Sequence, residues 1–150
     1  MERVLNGRPI IAGAATGIAI VSQEALSFWG GLDPQTGKII DKRHERCGEV
    51  ITGKVFVFPQ GKGSSTASAV LLESIRLGTA PAAIITANVD PILALGAIVA
   101  EVLYQQSIPI VVLSQRDSGT IKEGDRLTIA TDGTITANRS QSVCTGKGPE

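Results

Sequence analysis

The feature that most constrains this chain is a change of hydrophobic period between residues 55 and 113. Val55-Phe56-Val57-Phe58 is a run of β-branched and aromatic residues that stops at Pro59, as a buried strand does. From Ser64 to Leu77 the positions Ala67, Val70, Leu71, Ser74/Ile75 and Leu77 mostly follow a helical stripe. Ser64, Ser65 or Thr66 can cap its start, and Gly78 can close its end. Ala82 to Thr86 reads as a second strand. Asp90-Pro91, an acid cap followed by proline at the first helical position, opens a helix over Ile92 to Gln105, and Ile108 to Leu113 is a third strand. A β-α-β-α-β order calls for parallel strands with helices packed on them.

The flanks are β. Ile10-Ile11-Ala12 and Ile18 to Val21 are short apolar runs set apart by Gly13 and Gly17. Residues 27–37 (SFWGGLDPQTG) are turn chemistry, and Ile39-Ile40 makes a brief strand. Arg126 to Ala130 and Thr134 to Ala137 form a hairpin about Asp132-Gly133. The expected class is α/β, with a central β-α-β-α-β, flanking strands and a C-terminal hairpin. One domain is expected over residues 1–138, and the polar segment 139–150 is expected to be a disordered tail.

Composition narrows the function. The 150 residues carry 14 basic and 14 acidic side chains, a balance unlike the basic excess of a nucleic-acid binder. The aromatics are Phe28, Trp29, Phe56, Phe58 and Tyr104, too few for a base-stacking platform. No apolar run approaches the ~20 residues of a bilayer span, and no basic-then-apolar leader opens the sequence. No membrane or nucleic-acid partner is expected, and the expected location is cytoplasmic. Two distant cysteines, Cys47 and Cys144, and one histidine, His44, cannot build a zinc or iron–sulfur site alone, so no metal ligand is assigned to this chain.

The residues best suited to chemistry are Gly61-Lys62-Gly63-Ser64-Ser65-Thr66, where a buried strand hands over to a helix. Helix N-terminal amides and the positive end of the dipole favour an anion there, and Lys62 adds a full charge. A carboxylate or a phosphate is the expected guest. The loop is not a Walker A motif, whose first glycine would fall at Phe56, nor a dinucleotide fingerprint, which needs glycine where Thr66 stands. A plain glycine turn with a serine cap remains the alternative. Ser64 as a nucleophile would need a base beside it, whereas Ser64 as a base would need its alkoxide stabilised by amides and cations. His44 lies in the charged run 41–46, which reads either as a solvated surface or as a substrate-facing group beside the loop. Asp33 reads first as fixing its own turn.

Several segments together resemble a known family. Gly13-x-x-x-Gly17, residues 26–37 (LSFWGGLDPQTG), Gly53-Lys54, Phe58-Pro59, Gly61 to Ser65 (GKGSS) and Ala80 to Ile84, in this order, resemble the small subunit of aconitase X over about residues 7 to 113. The resemblance implies a β/β/α swivelling domain that forms a heterodimer or larger complex with a large subunit. That subunit is expected to hold an iron or iron–sulfur centre, with no cofactor on this chain. The implied activity is dehydration of a small hydroxy acid, cis-3-hydroxy-L-proline first and mevalonate 5-phosphate as the alternative. The resemblance makes Ser64 the catalytic base. Lys62, Gly63, Ser65, Thr66, Gly30, Gly31, Asp33 and His44 are its expected substrate-binding companions. Ordinary aconitases carry an arginine after the second serine, and Thr66 stands there, so tricarboxylate binding is not expected.

Readings of another class stay beside this one. Phosphohistidine carrier domains share the swivelling plan and resemble the segment Gly124 to Gly133, but need a histidine directly after the loop serine, where this chain has Thr66-Ala67-Ser68. A non-catalytic anion-binding module predicts tight binding by the isolated chain, whereas half of an active site predicts little.

Overall fold

Two opposed buried faces of one short strand organise the architecture. The computed structural model describes residues 2–62 and 65–139. Its elements in chain order are β1 (Glu2–Asn6), β2 (Arg8–Ile11), β3 (Ala15–Val21), a four-residue helical turn α1 (Phe28–Gly31), β4 (Leu32–Asp33) and β5 (Lys38–Ile39). There follow β6 (Val55–Phe58), α2 (Ala67–Leu77), β7 (Ala83–Thr86), α3 (Pro91–Tyr104), β8 (Ile110–Val112), α4 (Gln115–Ser118), β9 (Arg126–Ile129) and β10 (Thr134–Asn138). The main sheet runs β1-β10-β9-β3-β6-β7-β8-β2, and β4 and β5 form a separate small hairpin.

Strands β3, β6, β7 and β8 are parallel, while β1, β10, β9 and the start of β3 form an antiparallel layer. β3 serves both. Its first residues, Ala15 to Ile18, pair with β9, and its last, Ala19 to Val21, pair with β6. All four residues of β6 are buried, because each face of the strand meets a different layer. Phe56 and Phe58 point into a core shared with Val70, Leu71 and Ile75 of α2 and Leu93, Ala97 and Ala100 of α3. Val55 and Val57 point the other way, into a core with Leu127 and Ile129 of β9 and Ile135 and Ala137 of β10. The period-2 alternation of a strand puts neighbours on opposite faces, and here both faces are apolar because both are covered. The result is three layers, β/β/α, with both helices on one side.

The helices approach closely at Gly96, where a Cβ would come within 2.6 Å of the Ser68 carbonyl oxygen. Asp90 caps α3 as its sequence suggests, its Oδ1 accepting from the Ile92 and Leu93 amides at 3.1 Å each, with Pro91 at the first position. The outward face of α3 leaves Leu95, Ile98 and Val102 exposed. Among the described residues no helix is long and apolar enough to cross a membrane.

Strand β1 and the short α4 were not expected from sequence. β1 pairs with β10 across the whole chain, Glu2 opposite Asn138. Strand β10 ends at Asn138, and the tail expected over 139–150 lies outside the described residues apart from Arg139.

Asp125, immediately before β9, is fully buried. Its carboxylate meets Arg3 at 3.2 Å and Arg139 at 3.0 Å and accepts from the Lys122 amide at 2.9 Å. Asp125→Ala strands that amide and two arginines. The arginines keep access to water, so the expected loss is about 3 kcal/mol, the low end for breaking a buried pair. Urea unfolding at neutral pH measures it.

Candidate functional site

The glycine–serine loop begins where β6 ends. Pro59 breaks the strand, and its carbonyl accepts from the Ala87 and Asn88 amides, which ties the loop entrance to the end of β7. Leu26 and Gly61 form a parallel bridge, with the Leu26 amide on the Gln60 carbonyl at 3.3 Å and the Lys62 amide on the Leu26 carbonyl at 3.2 Å. Gly61 also donates its amide to Asp90 Oδ2 at 2.9 Å. A Cβ at position 61 would lie 2.3 Å from that oxygen, so the contact requires glycine. Beyond the loop, the Ser65 carbonyl accepts from the Ser68 amide and hydroxyl, and α2 begins. Thr66 has helical backbone angles and supplies no side-chain cap to α2. Gly63 and Ser64, the latter expected to be the base, lie outside the described residues.

Two clefts flank the loop, and Lys62 lines both. One, of about 260 Å³, has a partly apolar wall of Phe28, Ala67, Val89, Pro91, Ile92 and Leu93, with Gln60, Gly61 and Asp90 at its polar end. The other, of about 480 Å³, is lined by Glu24, Ala25, Asp41, Arg43, His44 and Lys62. Among the described residues neither Lys62 nor Arg43 has an ion-pair partner. The two acids are partly committed: Asp41 Oδ1 accepts from the Arg43 amide and Glu24 Oε1 from the Glu45 amide, each at 2.9 Å. Arg46 pairs with Glu123 and Arg76 with Glu73. Arg43 is therefore the arginine that shares a cleft with Lys62.

His44 is not part of a solvated face. It is buried at 6% exposure despite its charged neighbours. Its Nδ1 accepts from the Arg46 amide at 3.0 Å, so the neutral ring carries its proton on Nε2, which points to Ser22 Oγ at 3.2 Å and the Glu24 carbonyl at 3.4 Å. In that tautomer His44 is a donor toward Ser22, unable to act as its base. Glu45 completes a clamp by accepting from the Gln23 and Glu24 amides and the Ser22 hydroxyl. The clamp fixes segment 41–47 against 22–24 and so shapes the wall of the polar cleft.

The other expected companions are divided. Gly30 and Gly31 follow Phe28, which lines the first cleft and packs on Phe58 with ring centroids 6.1 Å apart. Gly30 has φ +80°, which breaks the helical turn and leaves Trp29 exposed. Asp33 is not brought to the loop. Its carboxylate and carbonyl hold the amides of Gln35, Thr36 and Gly37, and the turn is fastened by the Thr79 hydroxyl on Pro34, beyond the far end of α2. Asp33 thus fixes its turn, the first of its two readings. Sequence reasoning left open which of Arg43, Arg46 and Arg76 reaches Lys62, and it missed the wall of Phe28, Val89 and Ile92. It found Asp90 only as a helix cap, because the second contact joins residues 29 positions apart.

Comparison with known proteins bears on what this arrangement serves. The family model for the aconitase X swivel domain matches residues 4–137. A cis-3-hydroxy-L-proline dehydratase of Pseudomonas aeruginosa is 48% identical over 109 residues, 73% of this chain but only 19% of that protein. The chain therefore corresponds to about a fifth of that longer relative. The phosphomevalonate dehydratase small subunit of Methanocella arvoryzae is 44% identical over 131 residues, 87% of this chain and 93% of that subunit. The crystal structure of Thermococcus kodakaraensis aconitase X in its holo-form superposes with a TM-score of 0.82 at 36% identity, covering 91% of this chain and 99% of that one.

The clamp yields a pH prediction. The Gln23 amide foremost, then the Ser22 hydroxyl, hold the Glu45 carboxyl below its usual 4.5. A lowered carboxylate stabilises the fold fully above 4.5 and loses that contribution as pH falls through the folded value. Because Glu45 is largely exposed, Glu45→Gln is expected to cost less than about 1 kcal/mol at neutral pH. The gap between variant and wild type, followed by thermal melts, should close as pH is lowered through and below 4.5.

Proposed function

The chain belongs to the aconitase X swivel-domain family, and from that premise we propose that it is the small, loop-bearing subunit of a hydro-lyase. The observation that carries the reading is Lys62, unpaired among the described residues and lining two clefts at the turn from β6 into α2. An anionic substrate group seated there meets the Lys62 ammonium and the amides of Gly63 to Thr66, just before α2. Ser64, next to Gly63 in the same loop, is the proposed base, with Ser65 and Thr66 beside it. Amides and a cation favour its alkoxide, which takes the proton α to the substrate carboxylate. The C–H electron pair becomes the new double bond as the C–O bond breaks; the departing hydroxide takes up the proton now held by Ser64, leaving as water and restoring the alkoxide.

The described residues contain no group of three or more His, Cys, Asp or Glu suited to a metal. The iron or iron–sulfur centre that the resemblance implies finds no such ligand set among the described residues, and its proposed place is a large partner subunit in a heterodimer or larger complex. A cytoplasmic setting belongs to the same proposal. A phosphohistidine carrier is disfavoured because His44 is buried with both ring nitrogens in hydrogen bonds.

The substrate proposed first is cis-3-hydroxy-L-proline, after the dehydratase that is 48% identical over the shared region. Mevalonate 5-phosphate is the second reading, favoured by Arg43, which adds a cation to the cleft that Lys62 lines. Both are tested with the chain co-expressed with an aconitase-like large subunit, assayed anaerobically beside each subunit alone. Turnover only by the pair supports the half-site, whereas tight substrate binding by the isolated chain with no turnover by an intact pair supports a non-catalytic module. Ser64→Ala is expected to lower turnover by roughly 10²- to 10⁴-fold, the usual contribution of a general base, without dissociating the complex. Near-normal turnover by that variant would reduce Ser64 to a helix cap. Arg43→Ala separates the substrates. A KM raised roughly tenfold for the phosphorylated substrate, with the imino acid unaffected, is expected if the cleft holds phosphate, because a charge-assisted hydrogen bond contributes ~1.5–3 kcal/mol.

A further inference from the structure

We infer that Asp90 is a positioning residue for the glycine–serine loop, holding it through the Gly61 amide while capping α3. The inference rests on the hydro-lyase reading for its catalytic consequence but not for its structural content. One carboxylate meets three amides from two parts of the chain. Oδ1 accepts from Ile92 and Leu93 at 3.1 Å each, and Oδ2 from Gly61 at 2.9 Å. The first pair belongs to the helix, and the third belongs to the loop.

The choice of a carboxylate at this position needs a reason. A formal negative charge beside a loop suited to an anion opposes that anion. Asparagine would cap α3 equally well, since asparagine and aspartate rank together as N-caps. Asparagine, however, has one acceptor oxygen, and its NH₂ group cannot accept from Gly61. Only a carboxylate of this length offers an acceptor to the helix and another to the loop. The charge is offset by three N–H donors and by the positive end of α3. Gly61 answers the same requirement from the other side, since any side chain there would meet Oδ2.

The contact also lies at a strategic point. Upstream, residues 59–62 are fastened by backbone bonds to Leu26, Ala87 and Asn88, and by the Asn88 amide group on Gln60 Oε1 at 2.8 Å. Asp90 is the last described side-chain tether before Gly63 and Ser64. It lines the partly apolar cleft. It therefore sets the direction in which the loop leaves the sheet, and a shift of about 1 Å in a reacting group can cost a hundredfold in rate.

Asp90→Asn isolates the tether, because it keeps the cap and removes the acceptor facing Gly61. In the full chain, hydrogen exchange should quicken at the Gly61 amide by tenfold or more, while the Ile92 and Leu93 amides keep their protection. The thermal midpoint should stay close to wild type. In the complex with the large subunit, kcat should fall roughly ten- to hundredfold. Gly61→Ala, which displaces the same contact from the loop side, should reproduce the loss of kcat. Ser114→Ala, which removes the side-chain cap of α4, controls for capping and should leave kcat unchanged. Wild-type exchange at Gly61 in Asp90→Asn would overturn the inference, as would wild-type kcat in that variant. If the wild-type pair turns over neither substrate, the substrate assignment fails by itself, and the exchange experiment still decides whether Asp90 holds the loop.

Discussion

Everything else in this molecule depends on a four-residue strand that has no polar face. β6 buries Phe56 and Phe58 under two helices and Val55 and Val57 under an antiparallel layer. At about 1.5–3 kcal/mol for each large apolar side chain, this strand alone is a substantial part of the driving force. Phe56 and Phe58 stack with centroids 4.3 Å apart, and Phe28 extends the stack toward the loop. Because both faces are covered, the strand cannot slip by one residue without exchanging phenylalanines for valines in two different cores. The loop that follows Pro59 thus leaves from a point fixed in register.

From that fixed point the chain builds two walls of different character around Lys62. One wall is an apolar shelf from α1 and the start of α3. The other is a polar pocket whose shape depends on hydrogen bonds between a charged loop and residues 22–24. The second wall uses its ionisable groups largely for architecture: His44 and Glu45 hold backbone and a serine hydroxyl. Lys62 and Arg43 are left with their charges unpaired among the described residues, so the cleft keeps an available positive end without needing an overall basic protein.

The sequence made the middle of the fold legible because its period changes there. The alternation into Pro59, the stripe through Val70 and Leu71, and the Asp90-Pro91 opening are local signals, and β6, α2, β7, α3 and β8 follow them within a few residues. β1 was not legible because its partner strand lies at the other end of the described chain, Asn6 opposite Thr134 and Glu2 opposite Asn138. His44 was open to misreading for a similar reason. Five charged neighbours suggest water, while the groups that bury the ring, Ser22 and Glu24, are twenty residues distant. The loop itself stood out through its glycines and lysine. Its tether to Asp90 did not, since one carboxylate serving two elements leaves no mark on local pattern.

The pairing of Glu2 with Asn138 has a topological consequence. Residues opposite one another in an antiparallel pair lie about 5 Å apart, so the first and last strands start and finish at one spot on the rim of the outer layer. The domain is in effect a closed ring with a small gap. A longer polypeptide can therefore carry it at either end, or as an insert entered and left through a single doorway, without disturbing either core. Such an entrance suits relatives of very different length, the matched region being 19% of the Pseudomonas aeruginosa protein and 93% of the Methanocella arvoryzae subunit.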